Sequence, residues 1–540
     1  MESTFRKSMA WLHTWSGIVI GGLLFAIFWT GTLSVFDREI DRWMAPVTRL
    51  EMPSDPVSLD TSFRPMAEQM AAGSAQWTFS MPTDRVPMLR LSWRDAADKN
   101  VSRYFNASTG AELPATGTYA GTGFIYPFHY RLNIRFMDIG YWIVGFATMA
   151  MLVAIVSGVV IHKKICTDFF TFRPRKQIQR ASLDLHNLTS VLPLPFHFLI
   201  GLSGLFILFA IYFPSGWQVA YDGDRRAFNA QASDTFQRSK SGQAGSLGSL
   251  DGMMAQARLE WGGGQVSQVR VQHQGDANGY VEVRRSIADR VTQNSQTIYF
   301  DAATGKVLAR SEIKPVKTAL SFLTGLHEIQ FRHWTLRWLY FLAGLSGCVM
   351  IATGFVFWIE SRRARHAKKG LAGVRWVEAL AVFSVPGVIA ATFVFFVINR
   401  LLPEGANLAN YGRADLEVWG FCLAWLIALG HAGMRGQAAW REQTWCVAGL
   451  GLLAVVLNGV TTGQHLLLSF AQGVWAVGFM DVLLLVASAI AALTAMHLSR
   501  KARQVSVARS ANGATRTPAA APKAVNIPLH TALDAGERPL

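Results

Sequence analysis

Two histidines head long apolar runs in the same way. His13 is followed seventeen positions later by Thr30-Gly31, and His186 seventeen positions later by Ser203-Gly204. Two more follow a related order: His129 precedes an apolar run holding Ser157-Gly158, and His327 precedes one holding Thr353-Gly354. An apolar helix excludes imidazole unless the ring is used, so a histidine in or beside such a helix is a functional candidate. Histidine is an axial ligand of haem iron, and ligand and surroundings set that iron's potential. Eighteen residues of helix from His13 to Gly31 rise ~27 Å at 1.5 Å each. The glycines of one helix pair therefore fall level with the histidines of the other. The spacing predicts two b-type haems, one per leaflet, held by His13 with His186 and by His129 with His327. Gly17, Gly31, Gly158, Gly204 and Gly354 would leave room for the flat groups; the alternative is that the hydroxyl-Gly pairs only pack helices.

Other residues bear on this pairing. His162 and His197 are alternates for the cofactor nearer the N-terminus. Arg131, Arg135, Arg332 and Arg337 flank the second pair of histidines. They either anchor the interface or bind haem propionates or an anionic substrate. Asp481 sits inside an apolar run and is read as a proton-handling group or an interfacial carboxylate. Cys166, Cys348, Cys422 and Cys446 have neither metal nor redox spacing. No strand-GxGxxG-helix fingerprint or phosphate loop occurs, so a nicotinamide or flavin domain is not expected. Electrons would come from a membrane quinol or a donor protein. No catalytic residue is assigned.

These residues need a membrane scaffold. Of 540 residues, 51% are hydrophobic and 16% charged. A bilayer core needs ~20 apolar residues per helix. Uncharged runs at 8–36, 139–161, 185–221, 338–359, 379–399, 418–434 and 443–480, the last followed by a helix to about His497, predict eight spans. The net charge of +16 falls on alternate loops, at Lys163–Arg180, Arg362–Arg375, Arg435 with Arg441, and Arg500–Arg503. That placement argues for the bilayer and against nucleic acid as partner. By the positive-inside rule it puts both termini in the cytoplasm and segments 37–137 and 214–336 outside.

The expected fold is an all-α polytopic protein with two small α+β outer modules. The expected divisions are a first span in 1–36, outer module 37–137, span 138–163, loop 164–184, span 185–213, outer module 214–336, span 337–360, a four-span region 376–498, and a disordered tail 499–540. The order helix, outer module, histidine, helix occurs twice. The outer segments share a decapeptide, Tyr104-Phe-Asn-Ala-Ser-Thr-Gly110 and Tyr299-Phe-Asp-Ala-Ala-Thr-Gly305 with their following strands. Its glycine suits a turn that needs positive φ. Membrane-protein repeats often share a site at their interface.

Leu-His-Thr-Trp-Ser-Gly17, Thr-Gly31, Ser-Gly158-Val-Val-Ile-His162, Asp-Leu-His186, Pro-Phe-His197, Leu-His327-Glu and Thr-Gly354 resemble the PepSY-associated transmembrane family of bacterial inner-membrane proteins over about 5–360. The resemblance implies a four-helix haem-binding core, two periplasmic PepSY-like modules, and reduction of a ferric siderophore during iron uptake. The four helices after 376 depart from the pattern. Two other classes stand beside this one: a proton-coupled transporter or metal-ion permease using the histidines, and a regulatory, peptide-binding PepSY protein.

Overall fold

The computed structural model describes residues 2–55, 57–162, 173–174, 177–225, 227–228, 236–311 and 314–514. Seven of its helices are long and apolar enough to cross a membrane. They are α1 (Glu2–Ser34), α6 (Ile139–Ile161), α11 (Trp334–Lys368), α12 (Gly373–Val382) continued through a π-turn into α13 (Val388–Leu401), α14 (Arg413–Arg435), α15 (Gln437–Thr462) and α16 (Trp475–Ala514). A further pair, α7 (Ile178–Val191) and α8 (Leu194–Ile207), is apolar enough only when taken together and meets at 62°. Pro193 and Pro195 stand at the break; proline removes a donor and clashes with the preceding turn. The chain is a multi-pass membrane protein.

Three points differ from the sequence reading or resolve it. The sequence leaves open whether the following spans extend to His129 and His327 or these segments fold back; they fold back, off those spans. His129 lies on α5 (Tyr126–Arg131), entered through a π-helical stretch Ala120–Ile125; His327 lies near the end of α10 (Pro315–Glu328). Left-handed backbone at Leu132, Asn133 and Ile329 ends these helices and turns the chain back toward the next span. The last helix runs on to Ala514, past the expected tail boundary at 499. Residues 499–514 contain no proline and are rich in alanine, arginine and lysine, which favour helix. Lys163, Lys164, Cys166, Arg175, Lys176 and the tail beyond 514 lie outside the described residues.

The third change concerns the outer segments, which build one sheet rather than two separate modules. The first supplies β1 (Gln76–Ser80), β2 (Met88–Arg94), β3 (Asn100–Asn106) and β4 (Glu112–Leu113). The second supplies β5 (Val266–Gln272), β6 (Tyr280–Arg285), β7 (Thr297–Asp301) and β8 (Val307–Arg310). The strands run β4-β3-β2-β1-β5-β6-β7-β8, with β1 and β5 antiparallel at the seam. Alternation assigns the faces. Trp77, Phe79, Leu89, Leu91, Val269, Val271, Val281 and Val283 are buried under α3 (Leu59–Ser62), α4 (Arg64–Met70) and α9 (Leu250–Glu260). The paired decapeptides form matching turns, with Gly110 at φ 72° and Gly305 at φ 69°. Burying each unit's inner edge strand at the seam removes two exposed ladders.

The covering helices are tied by a reciprocal cap. Ser58-Leu-Asp60 and Ser249-Leu-Asp251 are the same tripeptide. The Asp60 carboxylate accepts from Ser249 Oγ (2.7 Å) and Leu250 N (3.0 Å), while Asp251 accepts from Ser58 Oγ (2.6 Å) and Leu59 N (2.9 Å). Each aspartate thus caps the other unit's helix. Burial would raise the Asp60 carboxyl, but these hydrogen bonds and Arg64 hold it below its usual value of 3.8. Its stabilising effect is therefore present above about pH 4 and is lost as pH falls through the lower folded value. Asp60→Ala and Asp251→Ala should each destabilise the sheet unit by about 0.5–2 kcal/mol at pH 7. The Asp60→Ala loss should shrink on acidification, read as thermal unfolding of the purified protein across pH 3–7.

Candidate functional site

The two repeats meet face to face, and their histidines meet in pairs. The rings of His13 and His186 lie 6.3 Å apart centre to centre with an 80° angle between planes. Those of His129 and His327 lie 6.0 Å apart at 28°. Imidazole nitrogen binds first-row metals at ~2 Å, and the ring centre lies about 1 Å further back, so two rings on one metal stand ~6 Å apart. Both pairs match that separation. Among the described residues, no three His, Cys, Asp or Glu side chains gather to hold a bare ion.

Each ring is held from behind. His13 Nδ1 is 2.8 Å from the Ala154 carbonyl, His129 Nδ1 2.9 Å from that of Ile27, and His186 Nδ1 2.8 Å from that of Met350. A carbonyl only accepts, so Nδ1 carries the proton and Nε2 keeps its lone pair. His327 Nδ1 lies 3.1 Å from Ser203 Oγ and also reaches the Ile200 carbonyl. The four carbonyls, of residues 27, 154, 200 and 350, each precede a hydroxyl-Gly glycine by four positions.

That spacing explains the pairs. A Cβ added to Gly31 would sit 2.7 Å from His129, one on Gly204 2.9 Å from His327, one on Gly158 3.1 Å from His13, and one on Gly354 3.3 Å from His186. In this structure these four glycines admit the imidazoles. Gly17 is exposed, with nothing within 4 Å of an added Cβ. The hydroxyls act behind the rings. Thr30, Ser157, Ser203 and Thr353 donate at 2.7–2.8 Å to the carbonyls of Ala26, Val153, Leu199 and Val349, and lie 3.0–3.3 Å from those of Ile27, Ala154, Ile200 and Met350, the ones the histidines face.

The alternates stand elsewhere. His197 is buried, with Nε2 3.2 Å from the Ala343 carbonyl and its ring against Phe28. His162 caps α6, and its Nδ1 is buried without a partner among the described residues. Arg131 lies over the Tyr130 ring and Arg135 is exposed. Arg332 pairs with Asp84. Arg337 is fully buried, pairs with Glu39 and donates to the Val35 carbonyl.

Two cavities adjoin the second pair. One, of about 310 Å³, lies around His129 and His327 and is walled by Phe28, Phe196, Tyr130, Tyr141, Tyr212 and Tyr340. The other, about 1110 Å³, is a cleft between the sheet and the bundle, and its wall is rich in arginine. Glu328, next to His327, lines both. At the cleft, burial alone would raise the Glu39 carboxyl, but Arg85 and Arg337 overcome it and hold it at about 2.

The sequence matches the description PepSY-associated TM region over residues 10–361. The chain belongs to this family. An uncharacterized protein of Pseudomonas aeruginosa is 26% identical over 316 residues, covering 54% of this chain and 78% of that protein.

The family match ends at 361, so the last four spans lie outside it. They grip the first repeat. Phe124 and Phe128, on the segment that carries His129, pack on Phe395, Phe421 and Trp425. Thr122 donates to Asp41 through N (3.0 Å) and Oγ1 (2.7 Å), fixing this segment to α2 (Asp37–Met44). Helix α2 is held in turn by Asp481, which accepts from Trp43 Nε1 (2.8 Å) and Asn458 Nδ2 (3.3 Å). Asp481 is thus a buried hydrogen-bond hub, a role that sequence reading missed. Glu417, which accepts from Thr118 and Asn399, was missed too. The carboxylates gave a signal, but one partner of each, Trp43 for Asp481 and Thr118 for Glu417, lies hundreds of residues away. Asp481→Ala strands the Trp43 and Asn458 donors and should destabilise the protein by about 1–3 kcal/mol. Asp481→Asn should recover part of that loss, measured as thermal unfolding in detergent.

Proposed function

We propose that this PepSY-associated protein is a di-haem membrane oxidoreductase that passes electrons to a ferric chelate at the sheet side. The observation that carries the reading is the two opposed imidazole pairs, each with Nδ1 turned back to a carbonyl or hydroxyl and Nε2 left free. His13 with His186 would hold one b-type haem, and His129 with His327 the other. Haem held in this way supplies one-electron transfer at a potential set by its ligands and surroundings.

The chain's own residues do the rest. Backbone carbonyls orient the rings and fix their tautomer, as outer partners do for metal-bound histidine generally. The aromatic wall gives His129 and His327 a mainly apolar setting. The arginine-rich cleft next to it suits an anionic complex, and Glu328 marks where the two spaces adjoin. Iron release would follow reduction, since hard oxygen chelators favour Fe(III) over Fe(II). The basic loops support an orientation with both termini in the cytoplasm of an inner membrane and the sheet in the periplasm. The electron donor would be a membrane quinol or a protein on the other side.

A dithionite-reduced visible spectrum of the purified protein should give sharp b-type bands with two haems per chain. His13→Ala and His327→Ala should each remove a different haem. Near-perpendicular ring planes leave the iron d-orbitals that mix with the rings almost degenerate, and near-parallel planes split them. Electron paramagnetic resonance of the oxidised protein should therefore give a strongly anisotropic signal that His13→Ala removes and a rhombic one that His327→Ala removes. Absence of haem, or loss of the same signal in both variants, would reject the reading.

A further inference from the structure

The seam between β1 and β5 creates something neither half has alone. Arg90 lies opposite Ser80, Ser80 opposite Gln268, and Gln268 opposite Arg284. Residues directly opposite in an antiparallel ladder share a face. The four therefore form one row across β2-β1-β5-β6, on the face away from the covering helices, and all four line the cleft. The row reads arginine, polar, polar, arginine from either end. Three strand spacings of ~4.8 Å put the two arginine backbones ~14 Å apart.

Both arginines lack a carboxylate partner among the described residues. Arg90 Nη2 donates to Ser80 Oγ at 3.2 Å, and its Nε is buried with no acceptor. Arg284 Nη1 reaches Gln268 Oε1 at 3.4 Å. The neighbouring row is built differently. There Thr78, Arg270 and Glu282 lie opposite one another, and Arg270 pairs with Glu282 at 3.4 Å. Of the other cleft arginines, Arg85 is matched by Asp37 and Glu39, Arg332 by Asp84 and Arg337 by Glu39, while Arg42, off the sheet, donates to the Leu50 carbonyl. The sheet neutralises its arginine one row away and leaves two bare at the cleft. A guanidinium fork fits carboxylate and similar planar anions in two-point contact.

The geometry points to a two-armed anion site on the floor of the cleft, with Arg90 and Arg284 gripping two anionic groups of one ligand while Ser80 and Gln268 meet its polar centre. This rests on the reading that the cleft receives a ferric chelate, and it names the class: a chelate of net negative charge, not a neutral or cationic one. At about 1110 Å³ the cleft stands at the upper end of the ~300–1,000 Å³ of ordinary small-molecule sites, which leaves room for a bulky iron complex.

The test is binding to the full chain in detergent, followed by calorimetry, with two probes: ferric enterobactin, which is polyanionic, and ferrioxamine B, which is cationic. The anionic probe should bind, and more weakly as salt rises. Arg90→Gln and Arg284→Gln should each weaken it at least about tenfold, or 1.4 kcal/mol, with unchanged visible spectrum and melting temperature. Arg270→Gln should bind as the parent does. Equal binding of the cationic probe, or indifference to both cleft substitutions, overturns the two-armed site. Binding of neither probe by a protein with intact haem spectra removes the chelate reading, and the site with it, while leaving the electron conduit standing.

Discussion

A buried imidazole must satisfy its Nδ1 proton, and in an apolar bundle the nearest acceptors are helix carbonyls already bonded along their own helix. A carbonyl has a second lone pair, but a ring can reach it only where the intervening side chain is missing. That constraint is met four times over, by a glycine four residues beyond each of the carbonyls of Ile27, Ala154, Ile200 and Met350. Leaving the proton unmatched would cost about 1–3 kcal/mol per ring. Removing the glycine would push the ring off its acceptor and out of line with its partner. The opposed pairs, and any chemistry they support, depend on this one contact.

The duplicated order helix, sheet unit, histidine, helix has a two-fold arrangement in both layers. In the membrane layer each histidine pair draws one ring from each repeat. In the sheet layer Asp60 and Asp251 cap each other's helices across the same relation, and Arg90 mirrors Arg284. The last four spans break the symmetry. They hold the His129 segment through Phe124, Phe128 and α2, whereas the His327 helix packs on α8. Equivalent ligands thus sit in unequal supports.

Much of the site was legible because it repeats at fixed spacing. The two histidine pairings followed from the repeat, and the level of the glycines from helical rise. The turns at Gly110 and Gly305 followed from the shared decapeptide. Other features were hidden for physical reasons. A glycine that clears a ring and one that clears a flat ligand look the same in sequence, so the role of Gly31 and Gly204 needed the contact itself. The short helices carrying His129 and His327 end at Leu132 and Ile329, non-glycine residues in left-handed backbone, which give no stop signal.

The fused sheet is the feature furthest from reach. Each outer segment carries its own alternating pattern, and a strand edge reveals nothing of the edge it will meet. Two independent units would leave β1 and β5 as exposed edges, an arrangement folded proteins manage by shortening, charging or covering. Here β1 and β5 are five and seven residues long, and covering each with the other is the solution that a duplicated unit has to hand. Pairing them puts Ser80 beside Gln268 and so sets Arg90 and Arg284 on either side of one seam. The cleft's charge pattern is thus a consequence of how the edges were closed. A chain with the same segments but separate sheets would carry the same arginines without the row.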